Sequence, residues 1–353
     1  MVTSILKEFG LNEDSSVHQL KSGLINSTWK IYQEDKIYIL QEINHQVFKR
    51  PQDIDKNLTR LKKYLLAHFP DYLFVAPLPA SNGNTLIQSG DRYYRLFDFI
   101  KGSETISFVR TCNEAYEAAK QFGKFSRLLS DFDADALAYT LPDFHNLSLR
   151  YEQFKSALAT ASEERLAKAN EAIKFIKAHE GIVQTYNEIL ADHSIPLRVV
   201  HHDTKISNVL FDKDARGMCV IDLDTVMPGY YFSDTGDMMR TYLSPANEEE
   251  TDLSKVVIRQ DFFKAIYQGY FQEMGNALTD AEKKLFIYSG EFIIYMQAIR
   301  FLTDYLNNDV YYRADYAGQN LNRALNQIAL LENYMQLKTT FRLIMEESGP
   351  AQN

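Results

Sequence analysis

Cysteine is scarce in this chain: Cys112 and Cys219 are the only two among 353 residues, and they stand 107 positions apart. Neither has a second Cys or a His at metal-ligand spacing, which excludes a disulfide framework and a Cys-rich zinc site and suits a reducing compartment. Positive charge is also short. Lys and Arg number 38 against 47 Asp and Glu, a formal net charge of −9. Such a surface repels phosphate backbones and anionic lipid, so neither nucleic acid nor membrane is expected as a partner. No run approaches the ~18 apolar residues of a membrane span, and Met1 to Glu13 lacks the apolar core of a secretory leader. Internal repeats and low-complexity segments are missing too. What is present is a globular composition, 45% apolar and 13% aromatic, enough for a packed core. At roughly 150 residues per domain the length suggests about two domains. The chain reads as a cytoplasmic protein with no obligate protein partner.

The first hundred residues read mainly as strands. Trp29 to Tyr32 and Ile37 to Leu40 flank the polar Gln33-Glu34-Asp35-Lys36, which predicts a hairpin. Thr85 to Gln88 and Tyr93 to Phe99, separated by Ser89-Gly90-Asp91, predict a second. Between them Ile54, Leu58, Leu61 and Leu65 recur at helical spacing behind Pro51. A small sheet carrying one helix is the expected unit, residues 1–100. From Lys101 the character changes to helix, and residues 101–353 form the second unit. Ala115, Ala118, Ala119, Phe122, Phe125 and Leu129 make one apolar face, with Gly123 leaving room for close packing. Residues 146–190 predict one or two long helices. A β-like island, Arg198 to Asp224, precedes a return to helix from about Val256 to Leu337, and the last dozen residues read as frayed.

The β-like island carries the chemistry. His201-His202-Asp203-Thr204-Lys205-Ile206-Ser207-Asn208 is followed by Val220-Ile221-Asp222-Leu223-Asp224, an apolar pair and an Asp 19 residues after Asp203. Phosphoryl transfer asks a protein mainly for positioning and charge neutralisation. It needs a carboxylate to accept the acceptor's proton, oxygen ligands for a divalent metal, and a cation near the transferring phosphate. Asp203, the pair Asn208 and Asp222, and Lys205 supply these in that order. One amide and one carboxylate are hard donors of the kind Mg2+ takes when a nucleotide completes its shell. The spacing H-x-D-x-x-x-x-N alone arises by chance in roughly one chain in thirty of this length. The strand ending in Asp222, the Asp234-Thr235-Gly236-Asp237 string and the placement after a β-rich segment make it specific together.

These strings resemble the aminoglycoside phosphotransferase and choline kinase superfamily, relatives of protein kinases. More narrowly the chain is similar to the N-acetylhexosamine 1-kinases, in Ser22-Gly23-Leu24-Ile25-Asn26, Leu40-Gln41-Glu42-Ile43-Asn44, Asp222-Leu223-Asp224-Thr225, Gly236-Asp237-Met238-Met239-Arg240 and Arg300-Phe301-Leu302-Thr303-Asp304-Tyr305-Leu306. The resemblance spans about Gly23 to Leu331 and implies an α+β, protein-kinase-like fold of two lobes: a small β-rich N-lobe to about residue 100 and a larger, mainly helical C-lobe. It implies Asp203 as catalytic base, Asn208 and Asp222 on Mg2+, and a loop at residues 20–28, with Gly23 and Asn26, over the ATP phosphates. Phe97, Asp98, Phe99 and Ile100 would form the hinge beside adenine, and Thr225, Arg300 and Tyr311 would face the sugar. Many kinases carry a Lys in the strand Tyr38 to Gln41; this chain offers Gln41, so Lys205 is expected to supply more of the positive potential.

Several residues carry two readings. His201 braces the catalytic loop, and Asp234 and Asp237 support that loop from a helix N-terminus. Asp224 is either a metal-proximal carboxylate beside substrate or a polar surface residue. Asn26 reaches a ligand or holds a turn. Arg300 pairs with Asp304 at i, i+4 or points into the acceptor pocket, and Tyr311 packs or stacks on sugar. The expected activity is ATP- and Mg2+-dependent phosphorylation of a free amino sugar, N-acetylglucosamine or N-acetylgalactosamine, at its anomeric hydroxyl. The alternatives are another small-molecule kinase of the superfamily, acting on an aminoglycoside, choline, homoserine or a different sugar, or a nucleotide-binding pseudokinase scaffold.

Overall fold

A computed structural model describes residues 2–20 and 25–348 of the chain. Helix α1 (Val2–Glu8) precedes strands β1 (Ser16–Leu20), β2 (Ser27–Gln33) and β3 (Lys36–Ile43), then helix α2 (Pro51–His68) and strands β4 (Ile87–Ser89) and β5 (Arg92–Asp98). The five strands form one antiparallel sheet in the order β1-β2-β3-β5-β4. Both predicted hairpins are present. Alternation sorts the sheet's faces: Ile31, Leu40, Tyr94 and Leu96 point into a small core closed by Ile5, Leu6 and Phe9 of α1 and its following turn. Gln41 and Arg95, directly opposite each other, point the other way. β1 escaped the sequence reading because it is an edge strand with almost every residue exposed, so it has no apolar alternation.

Helix α2 begins at Pro51 as the sequence predicts, but it does not ride on the small sheet. Its apolar stripe, Ile54, Leu58, Leu61 and Leu65, belongs to the core of the large lobe. The buried Asn57 fixes it there, donating to the carbonyls of Ala138 (2.8 Å) and Val226 (3.1 Å). Periodicity shows which face of a helix is buried, not against what.

The large lobe opens with β6 (Glu104–Thr105) and α3 (Cys112–Leu128), which starts on a Thr111–Glu114 capping box. Gly123 lets α3 approach its neighbour: a Cβ there would lie 2.9 Å from the Tyr270 carbonyl oxygen. The segment read as one or two long helices is four: α4 (Leu147–Thr160), α5 (Glu163–Lys168), α6 (Asn170–Ala178) and α7 (Gly181–Ala191). The first break comes at Ser162, whose hydroxyl caps α5 by accepting from the Arg165 N–H. Next come β7 (Arg198–Val200), β8 (Val209–Phe211), β9 (Gly217–Val220), β10 (Met227–Gly229) and α8 (Phe232–Tyr242). Helices α9 (Gln260–Met274), α10 (Asp280–Lys284), α11 (Phe286–Leu306), α12 (Gln319–Gln336) and α13 (Lys338–Ser348) complete the lobe. The tail read as frayed is helical to Ser348, because Phe341 is buried and stacks on Phe263 at 3.9 Å. Among the described residues no helix is long and apolar enough to cross a membrane.

Candidate active site

Two short ladders bring the motif together. β7 pairs with β10, and β8 pairs with β9 with Val209 opposite Val220. Asn208 and Ile221 are therefore neighbours across the hairpin, and the Ile221 N–H donates to the Asn208 carbonyl at 2.8 Å. That register carries Asn208 to the side of Asp222, although 14 positions separate them. The Asn208 amide donates to the Asp203 carbonyl (2.9 Å) and carboxylate (3.0 Å). Lys205 Nζ lies 2.8 Å from the same carboxylate oxygen. Burial pushes Asp203 up, but the Lys205 ammonium and the Asn208 amide outweigh it and hold the carboxyl below its usual range. Asp203 is thus an ionised acceptor with two fixed donors.

The loop bearing Asp203 is held from beneath by α8. Asp234 accepts the His201 and His202 N–H groups at 3.0 and 2.7 Å, and Asp237 accepts the Thr204 N–H at 2.8 Å while pairing with Arg240. These contacts hold His202 at φ 67°, where a non-glycine residue is disfavoured. Gly236, between the two aspartates, lets α8 sit against α11, since a Cβ there would collide with the Ser289 carbonyl. His201 is buried, with its Nε2 3.0 Å from the Ile221 carbonyl, so it ties the loop to the Asp222 strand.

Buried His202 lies against the Val200 and Thr225 carbonyls, and burial pulls its imidazole down to about 4. Unfolded it titrates near 6.5, so between 6.5 and 4 the unfolded chain binds the extra proton and this residue's contribution to stability falls with falling pH. The stability difference between wild type and His202→Gln is therefore expected to move in the variant's favour by about 2–3 kcal/mol from pH 7 to 4.5. Urea unfolding of both proteins across that range reads it, and the comparison cancels the buried carboxyls, which titrate in the opposite sense. A difference that does not change with pH would mean the imidazole takes up its proton in the folded chain.

Asp222, at φ 57°, is exposed, just after the strand that pairs with the Asn208 side of the hairpin. The packed lobes around it, then Asp224 and Asp203, push it above the ordinary carboxylate range, against Lys205 and Arg95. An accumulation of negative charge in one place calls for a cation. With its amide nitrogen committed to Asp203, Asn208 has its side-chain oxygen left as an acceptor, and Asp222 supplies a carboxylate. This donor set fits a divalent metal that draws its other oxygens from a nucleotide and water.

Asp224 is not a surface residue, and its charge bears on Asp222. It is only 2% exposed, and its carboxylate bridges the lobes, 2.5 Å from Arg95 Nη2 and 2.7 Å from the Asn26 amide. Asn26 in turn accepts the Asn44 N–H at 3.0 Å, so both ends of its side chain are engaged within the protein. Gln41 accepts from Arg95 Nε and Nη2 at 3.2 and 2.9 Å. Arg95, absent from the sequence reading, is thus a second cation beside the site, and Lys205 is not alone. Phe97, Asp98, Phe99 and Ile100 run along the end of β5 and the link into the large lobe, with Lys30 Nζ 4.1 Å from the Phe99 ring centre. Gly23 lies outside the described residues.

Thr225 was expected to face the acceptor. It is buried, and its hydroxyl donates to the His201 carbonyl at 2.6 Å. Arg300 does not pair with Asp304. That carboxylate is turned to the Tyr311 and Tyr312 N–H groups, at 2.8 and 2.9 Å. Arg300 instead lines a cleft of about 680 Å³ with Arg150, Glu152, Asp304, Tyr311 and Tyr312. Tyr311 is 70% exposed. The Arg300 guanidinium lies 5.5 Å from the Phe144 ring centre, and that ring is 6.5 Å from His202, next to Asp203. Among the described residues neither Arg150 nor Arg300 meets a carboxylate at ion-pair distance. Burial and the Arg300 charge hold Arg150 below its ordinary value.

A two-lobed fold with this loop at its junction is that of a kinase. The family described as "Phosphotransferase enzyme family" (APH) matches residues 16–257, and the chain belongs to it: it is a small-molecule phosphotransferase that uses ATP with a divalent metal. Solved structures share the fold. A microcompartment-associated aminopropanol kinase aligns at TM-score 0.65 and 16% identity, covering 96% of this chain and 97% of its own. An aminoglycoside phosphotransferase from Alicyclobacillus acidocaldarius gives 0.63 and 12%, covering 94% and 92%. Choline kinase from Cryptosporidium parvum gives 0.57 and 15%, covering 98% of each.

Proposed function

We propose that this phosphotransferase acts on a neutral amino sugar, an N-acetylhexosamine, and transfers the γ-phosphoryl group of ATP to its anomeric hydroxyl with Mg2+. The observation that supports this reading is the pair Arg150 and Arg300, which share one cleft with Glu152 and Asp304 yet stand at ion-pair distance from neither carboxylate. The Phe144 ring lies between Arg300 and His202. The neighbours in fold are named for aminopropanol, aminoglycosides and choline, and acceptors of that kind carry positive charge. Two cations about 4 Å apart repel by about 1 kcal/mol in water and about 4 kcal/mol near a protein surface. A neutral sugar avoids this penalty, and a guanidinium fork can hold two of its oxygens at once.

In this reading Asp203 takes the proton of the attacking hydroxyl, and Lys205 and Asn208 keep its carboxylate ionised and aimed. Asn208 and Asp222 hold Mg2+, which neutralises phosphate charge when bound. Asp234 and Asp237 fix the loop through its backbone. Each group acts by position and charge, which is most of what phosphoryl transfer requires.

A panel of acceptors with ATP and Mg2+, read by ADP release, tests the assignment. N-acetylhexosamines are expected to turn over, and faster turnover of choline, aminopropanol or an aminoglycoside would overturn the reading. Arg300→Ala is expected to raise the sugar KM about ten- to hundredfold, the worth of hydrogen bonds from a charged donor, and to leave the ATP KM nearly unchanged. The product should be acid-labile and alkali-stable, and the 1-O-methyl glycoside should be inert. Phosphorylation of that glycoside would move the reaction to another hydroxyl.

A further inference from the structure

Gln41 occupies the strand position where many kinases carry a lysine, and a neutral amide there leaves the small lobe short of a cation facing the nucleotide. The neighbouring strand holds one. Thr28, Gln41 and Arg95 form a row across β2, β3 and β5 on the face away from the small core. Gln41 Nε2 reaches the Thr28 hydroxyl at 3.4 Å, while its oxygen takes two hydrogens of the Arg95 guanidinium. The side chain that replaces the lysine thus aims an arginine. Arg95 is 3% exposed, its guanidinium lies 5.1 Å from the Phe97 ring centre, and its Nη2 contacts Asp224, two residues beyond Asp222.

A guanidinium has five N–H donors. Nε and Nη2 supply the contacts to Gln41 and Asp224. The two Nη1 hydrogens have no partner among the described residues. A buried arginine held on one side by a carboxylate and an amide, with Nη1 unpartnered among the described residues and Asp222 two residues from its Asp224 contact, is equipped to take an anion.

We infer that Arg95 is the small lobe's phosphate-gripping cation, its Nη1 arm bonding nucleotide phosphate oxygens while Nη2 stays on Asp224. Lobe contact and nucleotide contact then form one unit. Asp224 fixes where the guanidinium sits, and Asn26 fixes Asp224. This inference rests on the phosphotransferase class of the chain and is independent of the acceptor.

Binding without turnover tests it, using Mg2+-ADP and adenosine as calorimetric probes. Arg95→Met is expected to weaken Mg2+-ADP binding about ten- to hundredfold and to leave adenosine binding within about twofold. Equal losses for both ligands would overturn the inference, because they would make Arg95 a strut between the lobes. Arg95→Met also strands Asp224 as a buried charge, so Gln41→Lys/Arg95→Met is measured beside it. With a cation restored one strand away, the double variant is expected to bind Mg2+-ADP within about tenfold of wild type. A folded double variant that binds adenosine normally but has lost Mg2+-ADP more than about a hundredfold overturns the assignment as well.

Discussion

Asp203→Asn is expected to cut kcat by about two to four decades, the usual scale of general acid–base assistance, with fold and nucleotide affinity retained. The geometry explains why the loss should fall on chemistry alone. Asparagine fills the same volume and can still receive the Asn208 amide and the Lys205 ammonium, at 3.0 and 2.8 Å in the wild type. The Asp203–Lys205 ion pair is partly exposed, and such pairs contribute little to stability, about 1 kcal/mol or less. The loop is anchored through its backbone by Asp234 and Asp237, which the substitution leaves in place. What disappears is the proposed acceptor of the hydroxyl proton. ADP release under saturating substrates gives kcat, circular dichroism reports the fold, and calorimetry with Mg2+-ADP reports binding. Near-normal turnover would remove Asp203 from the role of base.

The site was legible in sequence to the extent that its geometry is local. Asp203, Lys205 and Asn208 lie within six positions, and Asp222 follows through one hairpin whose apolar strands are visible as such. The contacts that complete the site cross the molecule. Arg95 looks like an ordinary polar residue of an alternating strand, and nothing near it reveals that its partner stands 129 positions later, in a different lobe. The places of Asp224 and Thr225 in the motif suggest a sugar-facing role for Thr225 and leave Asp224 between the metal and the surface. Their side chains instead serve the lobe junction and the catalytic loop. For Arg300 the spacing to Asp304 offered an ordinary helical ion pair. The competing demand came from the turn after α11, whose two N–H groups claim the Asp304 carboxylate.

The fold shows the same division. Hairpins and caps follow from short-range chemistry, so β2–β3, β4–β5 and the proline start of α2 were recovered. The Ser162 cap was available too, as Ser followed by Glu163 and Glu164, and it marks the break that the smooth helical composition of 146–190 obscured. The partner of α2 was not available. Its stripe satisfies a helix on either lobe, and the tertiary contacts decide for the large one, among them the bonds of Asn57 to Ala138 and Val226 and the Tyr64–Phe132 ring contact.

Removal of the carboxylate at position 222 is the most severe change the site predicts. Asp222→Ala is expected to lower Mg2+-dependent turnover by about three decades or more, the several kcal/mol that a bound metal supplies to charge stabilisation. Two features make compensation improbable on physical grounds. Asn208 is a neutral amide, and a hard divalent cation is poorly held by one such oxygen. Asp224 is near in sequence, yet it is buried and its two oxygens face Arg95 and Asn26, so recruiting it would break the contact between the lobes. Alanine at φ 57° adds strain of about 1 kcal/mol, small beside the stability of a domain. The decisive readout is therefore binding: wild-type affinity for ADP should rise with added Mg2+, and the Asp222→Ala affinity should be nearly independent of it. If Mg2+ still tightens ADP binding in the variant as it does in wild type, the metal is held elsewhere, and the carboxyl at 222 serves only the backbone turn in which it sits.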